Sequence, residues 1–155
     1  MKRDQETMKG EYGGPVVQFS VFADNKVGRL NDLIMMLAKN DVHIAAICSL
    51  DTTDSTIIRF VVNYPELTRE ILAKNGIMSA NEVEVIAVEI DTADHLRHIT
   101  CALVQAEINI HYVYPFLMRP HGKIGMVLHL EDNELATEVL RSNQIEVLDQ
   151  MDIAR

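Results

Sequence analysis

From residue 16 onward the hydrophobic positions of the chain switch between two periods. Val17, Phe19 and Val21 are separated by Gln18 and Ser20, which is the alternation of a strand, whereas Leu30, Leu33, Ile34 and Leu37 recur at helical spacing. The pattern predicts a strand over 16–23 and a helix over 28–40. A second strand over 44–50 and a third over 56–62 follow, joined through the turn-forming run Asp51-Thr52-Thr53-Asp54-Ser55. Pro65 suits the first turn of another helix and Gly76 its C-terminal cap. A brief edge strand is expected over 77–80. A second round then reads as a strand over 83–90, a helix over 94–106, strands over 110–116 and 123–130, a helix over 133–142 and a closing strand over 145–148.

The second round repeats the first. Leu30-Asn31-Asp32-Leu33 aligns with Leu96-Arg97-His98-Ile99, and Asp41-Val42-His43-Ile44 with Glu107-Ile108-Asn109-Ile110. Ile58 then meets Ile124, and Phe60-Val61-Val62 meets Met126-Val127-Leu128. After a two-residue shift, Leu67, Ile71 and Leu72 meet Leu135, Val139 and Leu140. The order strand, helix, strand, strand, helix, strand is that of ferredoxin-like units. The expected fold is therefore α+β: two βαββαβ units in tandem, with antiparallel sheets and helices on one face. The first unit is placed at residues 16–80 and the second at 81–155, behind a flexible N-terminal tail at 1–15. Gln18, Ser20 and Phe22 make the opposite face of the first strand only partly apolar, so that face is either solvated or a joint.

The switch from strand to helix period, Ala23-Asp24-Asn25-Lys26-Val27-Gly28-Arg29-Leu30, is the stretch most suited to a ligand. A glycine here can serve simply as a turn. It can equally let a guest approach the main chain, where the first-turn amides of a helix have no partner within the helix and attract a carboxylate or phosphate. Asp24 is either an attractor for an ammonium group or a solvated turn residue.

Composition narrows the chemistry. The 155 residues are 48% hydrophobic and carry a formal charge of -9, with a pI near 5.0. That balance repels a polyanionic backbone, so no nucleic-acid partner is expected. No apolar run approaches the roughly 20 residues that span a bilayer, and the polar start is unlike a secretory signal, so neither a membrane nor export is expected. Cys48 and Cys101 have no Cys-x-x-Cys spacing and suit buried, reduced thiols of a cytoplasmic protein. His95 and His98 lie one helical turn apart, and His111 and His129 fall on neighbouring strands, but none has the usual company of closely spaced ligands, so no metal is expected. No nucleophile elbow, His-Glu-x-x-His or phosphate-cradling loop occurs, and Cys48 sits among core residues, so neither an enzyme nor a cofactor is expected. Tyr112, Tyr114 and Phe116 alternate on one strand and suit either a joint between units or a pocket lining.

The repeated unit resembles the ACT domain, and the pair resembles stand-alone tandem ACT proteins such as the regulatory type associated with acetolactate synthase. Asn25-Lys26-Val27-Gly28-Arg29-Leu30 is close to the family's Asn-x-Pro-Gly-x-Leu loop, with Val27 where proline is usual. Ile108-Asn109-Ile110 is close to its Val-Asn-Ile strand opening. The resemblance implies a non-enzymatic, cytoplasmic amino-acid sensor whose ligand is gripped between units, by Asp24, Asn25, Lys26, Val27, Gly28, Arg29 and Leu30 on one side and Ile108, Asn109 and Ile110 on the other. Ile47, with Val27 and Leu30, favours a small or branched apolar amino acid. The alternative is a regulatory subunit that docks on a biosynthetic enzyme such as acetohydroxyacid synthase, with or without ligand binding. Exposed sheet edges are expected to pair two chains as a homodimer. The units are expected to differ, because Asp94 aligns with Gly28, and Asp94 or Asp91 is positioned by sequence to cap its own helix.

Overall fold

The computed structural model describes residues 14–78, 80–118 and 121–154; the tail expected at 1–15 lies almost wholly outside them. The chain runs β1 (Val16–Asp24), α1 (Arg29–Lys39), β2 (Ile44–Asp51), β3 (Ser55–Val62), α2 (Pro65–Lys74), β4 (Ala80–Ile90), α3 (His95–Gln105), β5 (Ile110–Pro115), β6 (Ile124–Leu130), α4 (Asn133–Ser142), β7 (Glu146–Leu148) and α5 (Gln150–Ile153). This is the tandem βαββαβ arrangement expected of the repeat. All strand pairs are antiparallel, in the order β2-β3-β1-β4-β6-β5, with β7 also on β4.

The brief edge strand and the separate strand expected at 77–80 and 83–90 are instead one strand of 11 residues, β4. Its first half closes the first unit, pairing from Val21↔Ala80 to Val16↔Val85. Its second half opens the second unit, between β6 and β7. Asn81, Glu82 and Glu84 hide this continuity from a hydrophobicity pattern, because their side chains interrupt the apolar run while their backbone continues the ladder.

Register also corrects the internal alignment. Val21 faces Ile58 and Val88 faces Met126, while Ile44 faces Val62 and Ile110 faces Leu130. Ile58 therefore corresponds to Met126, not Ile124, and the two-residue offset arises in the β5–β6 connection rather than after β6. By the same register Val21 corresponds to Val88, Phe22 to Glu89 and Asp24 to Asp91.

Each helix pair covers one face of its half-sheet because its apolar stripe has no other place to be buried. Leu33 and Leu37 of α1 and Ile71 and Leu72 of α2 pack on Phe19, Val21, Ile58 and Phe60. Ile99, Leu103 and Leu140 pack on Ile86, Val88 and Leu128 in the second unit. All four of these helices end on a left-handed residue, namely Asp41, Gly76, Glu107 and Gln144. The amide of the next residue, Val42, Ile77, Ile108 or Ile145, bonds back to a carbonyl in the helix's last turn.

The remaining sheet faces meet each other and form a joint. Val16, Ala46, Val61, Val85, Ala87, Tyr114, Val127 and Leu148 bury one another there, with Ile153 of α5. Alanines at the centre let the two layers approach closely. The sheet curls far enough for its edge strands to touch, through the Ala46↔Phe116 bridge and a 2.7 Å bond from the Leu117 amide to the Ala45 carbonyl. Part of the edge on which two chains are expected to pair is thus occupied within the chain. The terminal helix α5, absent from the predicted elements, is set by a capping box in which Asp149 and Asp152 each accept the other's amide, at 3.0 and 2.9 Å.

Candidate functional site

The sharpest turn at the strand-to-helix switch falls on Gly28. Its φ of +92° lies in the left-handed region, it stands at the N-cap of α1, and no side chain caps the helix behind it. The Arg29 amide makes only a long 3.4 Å bond to the Lys26 carbonyl. The equivalent start of α3 is closed differently. Asp94 occupies the N-cap position in right-handed helical geometry and caps nothing with its side chain, contrary to the expectation for Asp94 or Asp91. The amides of His95 and Leu96 are instead taken, at 3.1 Å each, by the carbonyls of Thr92 and Ala93. Asp91 lies 3.4 Å from Lys123. The difference between the two helix starts is therefore a difference of backbone path, since the shorter second loop turns inward on itself.

Around Gly28 the loop is polar and exposed. Arg29 clasps Asp24 through Nε at 2.6 Å and Nη2 at 3.4 Å, and Lys26 Nζ stands 3.1 Å from the same carboxylate. These two cations, Arg29 first, hold the Asp24 carboxyl down to about 2, against an ordinary 3.8. The pair is exposed and screened, so it fixes the loop's shape more than it stabilises the fold. Because the folded value lies below the unfolded one, the stabilising contribution is complete above about pH 4 and is lost as pH falls through about 2. A carboxyl titration followed by NMR is expected to place the Asp24 midpoint near 2. A midpoint close to 3.8 would mean the clasp does not form in solution.

Beneath the loop lies a cleft of about 420 Å³. Its apolar wall comes from Val21, Leu33, Met36, Ile58, Ile77 and Met78, and Arg29 and Asp32 of α1 supply its charged groups. Of the expected site residues, Asn25, Lys26, Val27, Gly28 and Leu30 are exposed beside Asp24 and Arg29. Ile47 lies elsewhere, in a separate apolar groove with Ile34, Val42, Ile44 and Leu117. Ile108 is buried in the core of the second unit, Ile110 pairs with Leu130, and the Asn109 carbonyl accepts the Glu131 amide at 3.1 Å while its side chain faces solvent. Among the described residues no hydrogen bond or ion pair joins the 25–30 loop to 108–110. The cleft residues Ile77 and Met78, on the stretch leading from α2 into β4, escaped the sequence reading. Their signal would have been the equivalence of that stretch with Ile145-Glu146.

Among the described residues no three His, Cys, Asp or Glu side chains gather as they would around a metal ion. Among the described residues no helix is long and apolar enough to cross a membrane. Of the two thiols expected to be buried, Cys48 is half-buried and Cys101 is exposed, on the outer side of α3.

A sequence profile described as an ACT domain pair matches residues 15–155. No curated protein matches by sequence. Among solved structures, one from Bacteroides thetaiotaomicron superposes with a TM-score of 0.82 at 24% identity, over 91% of this chain and 96% of its own. The regulatory subunit of aspartate kinase from Thermus thermophilus, in its ligand-free form, superposes at 0.62 with 15% identity, over 84% and 91%. The corresponding subunit from Thermus flavus does so at 0.58 with 14% identity, over the same shares. These likenesses are of fold.

Proposed function

We propose that this chain, which belongs to the ACT domain pair family, is a non-enzymatic regulatory protein that responds to a free amino acid held at the 25–30 loop of its first unit. Residues 16–80 and 81–155 are taken as the two units, although β4 crosses that boundary and its residues up to Val85 complete the first unit's sheet. The observation that carries the proposal is the uncapped start of α1 behind the left-handed Gly28, directly beside an apolar cleft. Free first-turn amides and the helix dipole suit the ligand's carboxylate by about 0.3 to 1 kcal/mol. Asp32 offers a partner to the ammonium group, and the cleft receives the side chain. A zwitterion has no net charge, so the acidity of the chain does not oppose it. The apolar lining favours a branched apolar amino acid.

A thermal-shift screen against the twenty amino acids tests this. A ligand that binds only the native state at a hundred times its Kd adds about 2.7 kcal/mol to stability, and apolar branched members are expected to lead. A screen in which no amino acid raises the melting temperature would overturn ligand binding. It would favour a second reading, a regulatory subunit that acts by docking on an enzyme. That reading draws support from the fully exposed Val27 at the loop tip and from the regulatory subunits of aspartate kinase among the similar folds.

A further inference from the structure

The two units build their joint from the same positions with unlike chemistry. One extra residue bulges from each edge strand, between Ile44 and Ala46 in the first unit and between Ile110 and Tyr112 in the second. By that register Ala45, Ala46 and Val61 correspond to His111, Tyr112 and His129. The first three are apolar and wholly buried, whereas the second three are titratable.

His129 stands where a charge would find no partner. Its ring stacks on Tyr112, with 4.7 Å between centroids and 11° between planes, and lies 5.1 Å from the ring of His111. Its Nδ1 is buried and makes no hydrogen bond among the described residues. The electron-rich face of Tyr112 suits a cation, and Arg59 already supplies one at 4.3 Å.

The neighbouring elements bring no counter-charge. β1 presents the neutral Gln18, β2 the Cys48 thiol beside Arg59, β4 the apolar Val85 and Ala87, and β5 the Tyr114 phenol. Glu89, on the same face of β4, lies opposite Gly125, about 13 Å along β6 from His129. It is held there by His121. Glu131 lies past the end of β6 and is exposed. A charge at His129 is therefore opposed by burial first, and then by His111 and Arg59.

We propose that His129 makes the joint an acid-sensitive switch: as a neutral ring it holds the second unit to the first through Tyr112, and as a cation it is repelled by Arg59 and His111, drives Tyr112 off Gln18 and uncouples the units. The first unit has no such response, because alanines and a valine fill its equivalent positions. The folded midpoint of His129 lies below the ordinary 6.5 of the unfolded chain, so the unfolded chain takes up the proton first. The stabilising contribution is complete above about pH 6.5 and is lost as pH falls from there to the folded midpoint.

The test combines imidazole titration by NMR with urea unfolding of the full chain between about pH 5 and 8, the range in which histidines change charge. It compares the wild type with Arg59→Met, His129→Phe and His129→Gln. In the wild type the His129 midpoint is expected below 6.5. Arg59→Met keeps a stem over Tyr112 without the charge and is expected to raise that midpoint, which a structural role for Arg59 would not do. The wild type is expected to unfold in one transition at the alkaline end and in two at the acid end. His129→Phe keeps the stack, and both it and His129→Gln are expected to retain one transition throughout. Over the range the wild-type unfolding constant is expected to rise at least about threefold more than theirs, which is half a unit between folded and unfolded midpoints. A wild-type midpoint at or above 6.5, a midpoint unmoved in Arg59→Met, a single wild-type transition throughout, or equal pH dependence in the wild type and both His129 variants would overturn the proposal. No ligand enters these measurements, so their outcome is independent of amino-acid binding at the first unit.

Discussion

Replacing Gly28 with aspartate is expected to abolish apolar amino-acid binding while leaving the fold in place. The backbone at Gly28 sits at φ +92°, where most L side chains are strained by about 1 to 2 kcal/mol and aspartate or asparagine is among the best tolerated. A Cβ there meets nothing within 4 Å, so no packing is disturbed. What changes is charge. A carboxylate at the mouth of the α1 amides occupies, or repels from, the place where the ligand's carboxylate would rest. Losing two or three charge-assisted hydrogen bonds and gaining a like charge predicts a fall in affinity of at least about a hundredfold. Gly28→Asn, of nearly the same shape but neutral, separates charge from conformation and is expected to lose far less. Calorimetry decides it: equal losses in the two variants would show that backbone freedom rather than the open amides matters, and an unchanged affinity in Gly28→Asp would place the ligand elsewhere. The reverse change, Asp94→Gly, creates no second apolar site, because the His95 and Leu96 amides are already taken by backbone carbonyls.

How much of this was legible beforehand depends on whether a feature is local. The alternation of Val17, Phe19 and Val21, the helical spacing of Leu30, Leu33 and Leu37, and the cap at Gly76 are written in neighbouring residues, and the corresponding elements stand where expected. The length of β4 was not, because its ladder runs through Asn81, Glu82 and Glu84 and only partner strands reveal it. The closure at α3 was hidden too. An aspartate at the N-cap position promises a side-chain cap, but a loop one residue shorter than that of the first unit brings the Thr92 and Ala93 carbonyls to the amides first. The pairing of Glu89 with Glu146 spans more than fifty residues and needs the sheet to be built before it exists. For the candidate site, the loop around Gly28 was visible as a change of period, while its cleft required the stretch at Ile77 and Met78 to fold back over α1.

The joint between the units was left open by sequence as solvated or packed, and it sets the largest effect on stability. Gln18 is wholly buried at this joint. Its Nε2 donates to the Tyr112 hydroxyl and its Oε1 accepts from the Tyr114 hydroxyl, each at 2.6 Å, so one side chain of the first unit holds two of the second. Arg59 covers the Tyr112 ring at 4.3 Å, and His129 stacks on it with centroids 4.7 Å apart. Burial pushes the Tyr114 hydroxyl well above its ordinary range, so it remains a donor throughout the accessible pH range. The same surroundings, burial first and then His111 and Arg59, hold the His129 imidazole below its usual range. Gln18→Ala removes both partners at once and opens a cavity between layers that alanines have brought close. An unsatisfied buried hydroxyl costs about 1 to 3 kcal/mol, and a truncated core side chain a further few, so a total loss of about 3 to 5 kcal/mol is expected from a stability that is ordinarily about 5 to 15. Tyr114→Phe leaves only the Gln18 oxygen wanting and is expected to lose about 1 to 2 kcal/mol. Because the two changes break the same bond, the double variant is expected to fall short of their sum. Urea unfolding measures all three, and it also reads cooperativity: the wild type is expected to unfold in one transition, with Gln18→Ala separating the units into two. A loss under about 0.5 kcal/mol in Gln18→Ala, within the range of an ordinary surface change, would show that Gln18 does not hold the two units together.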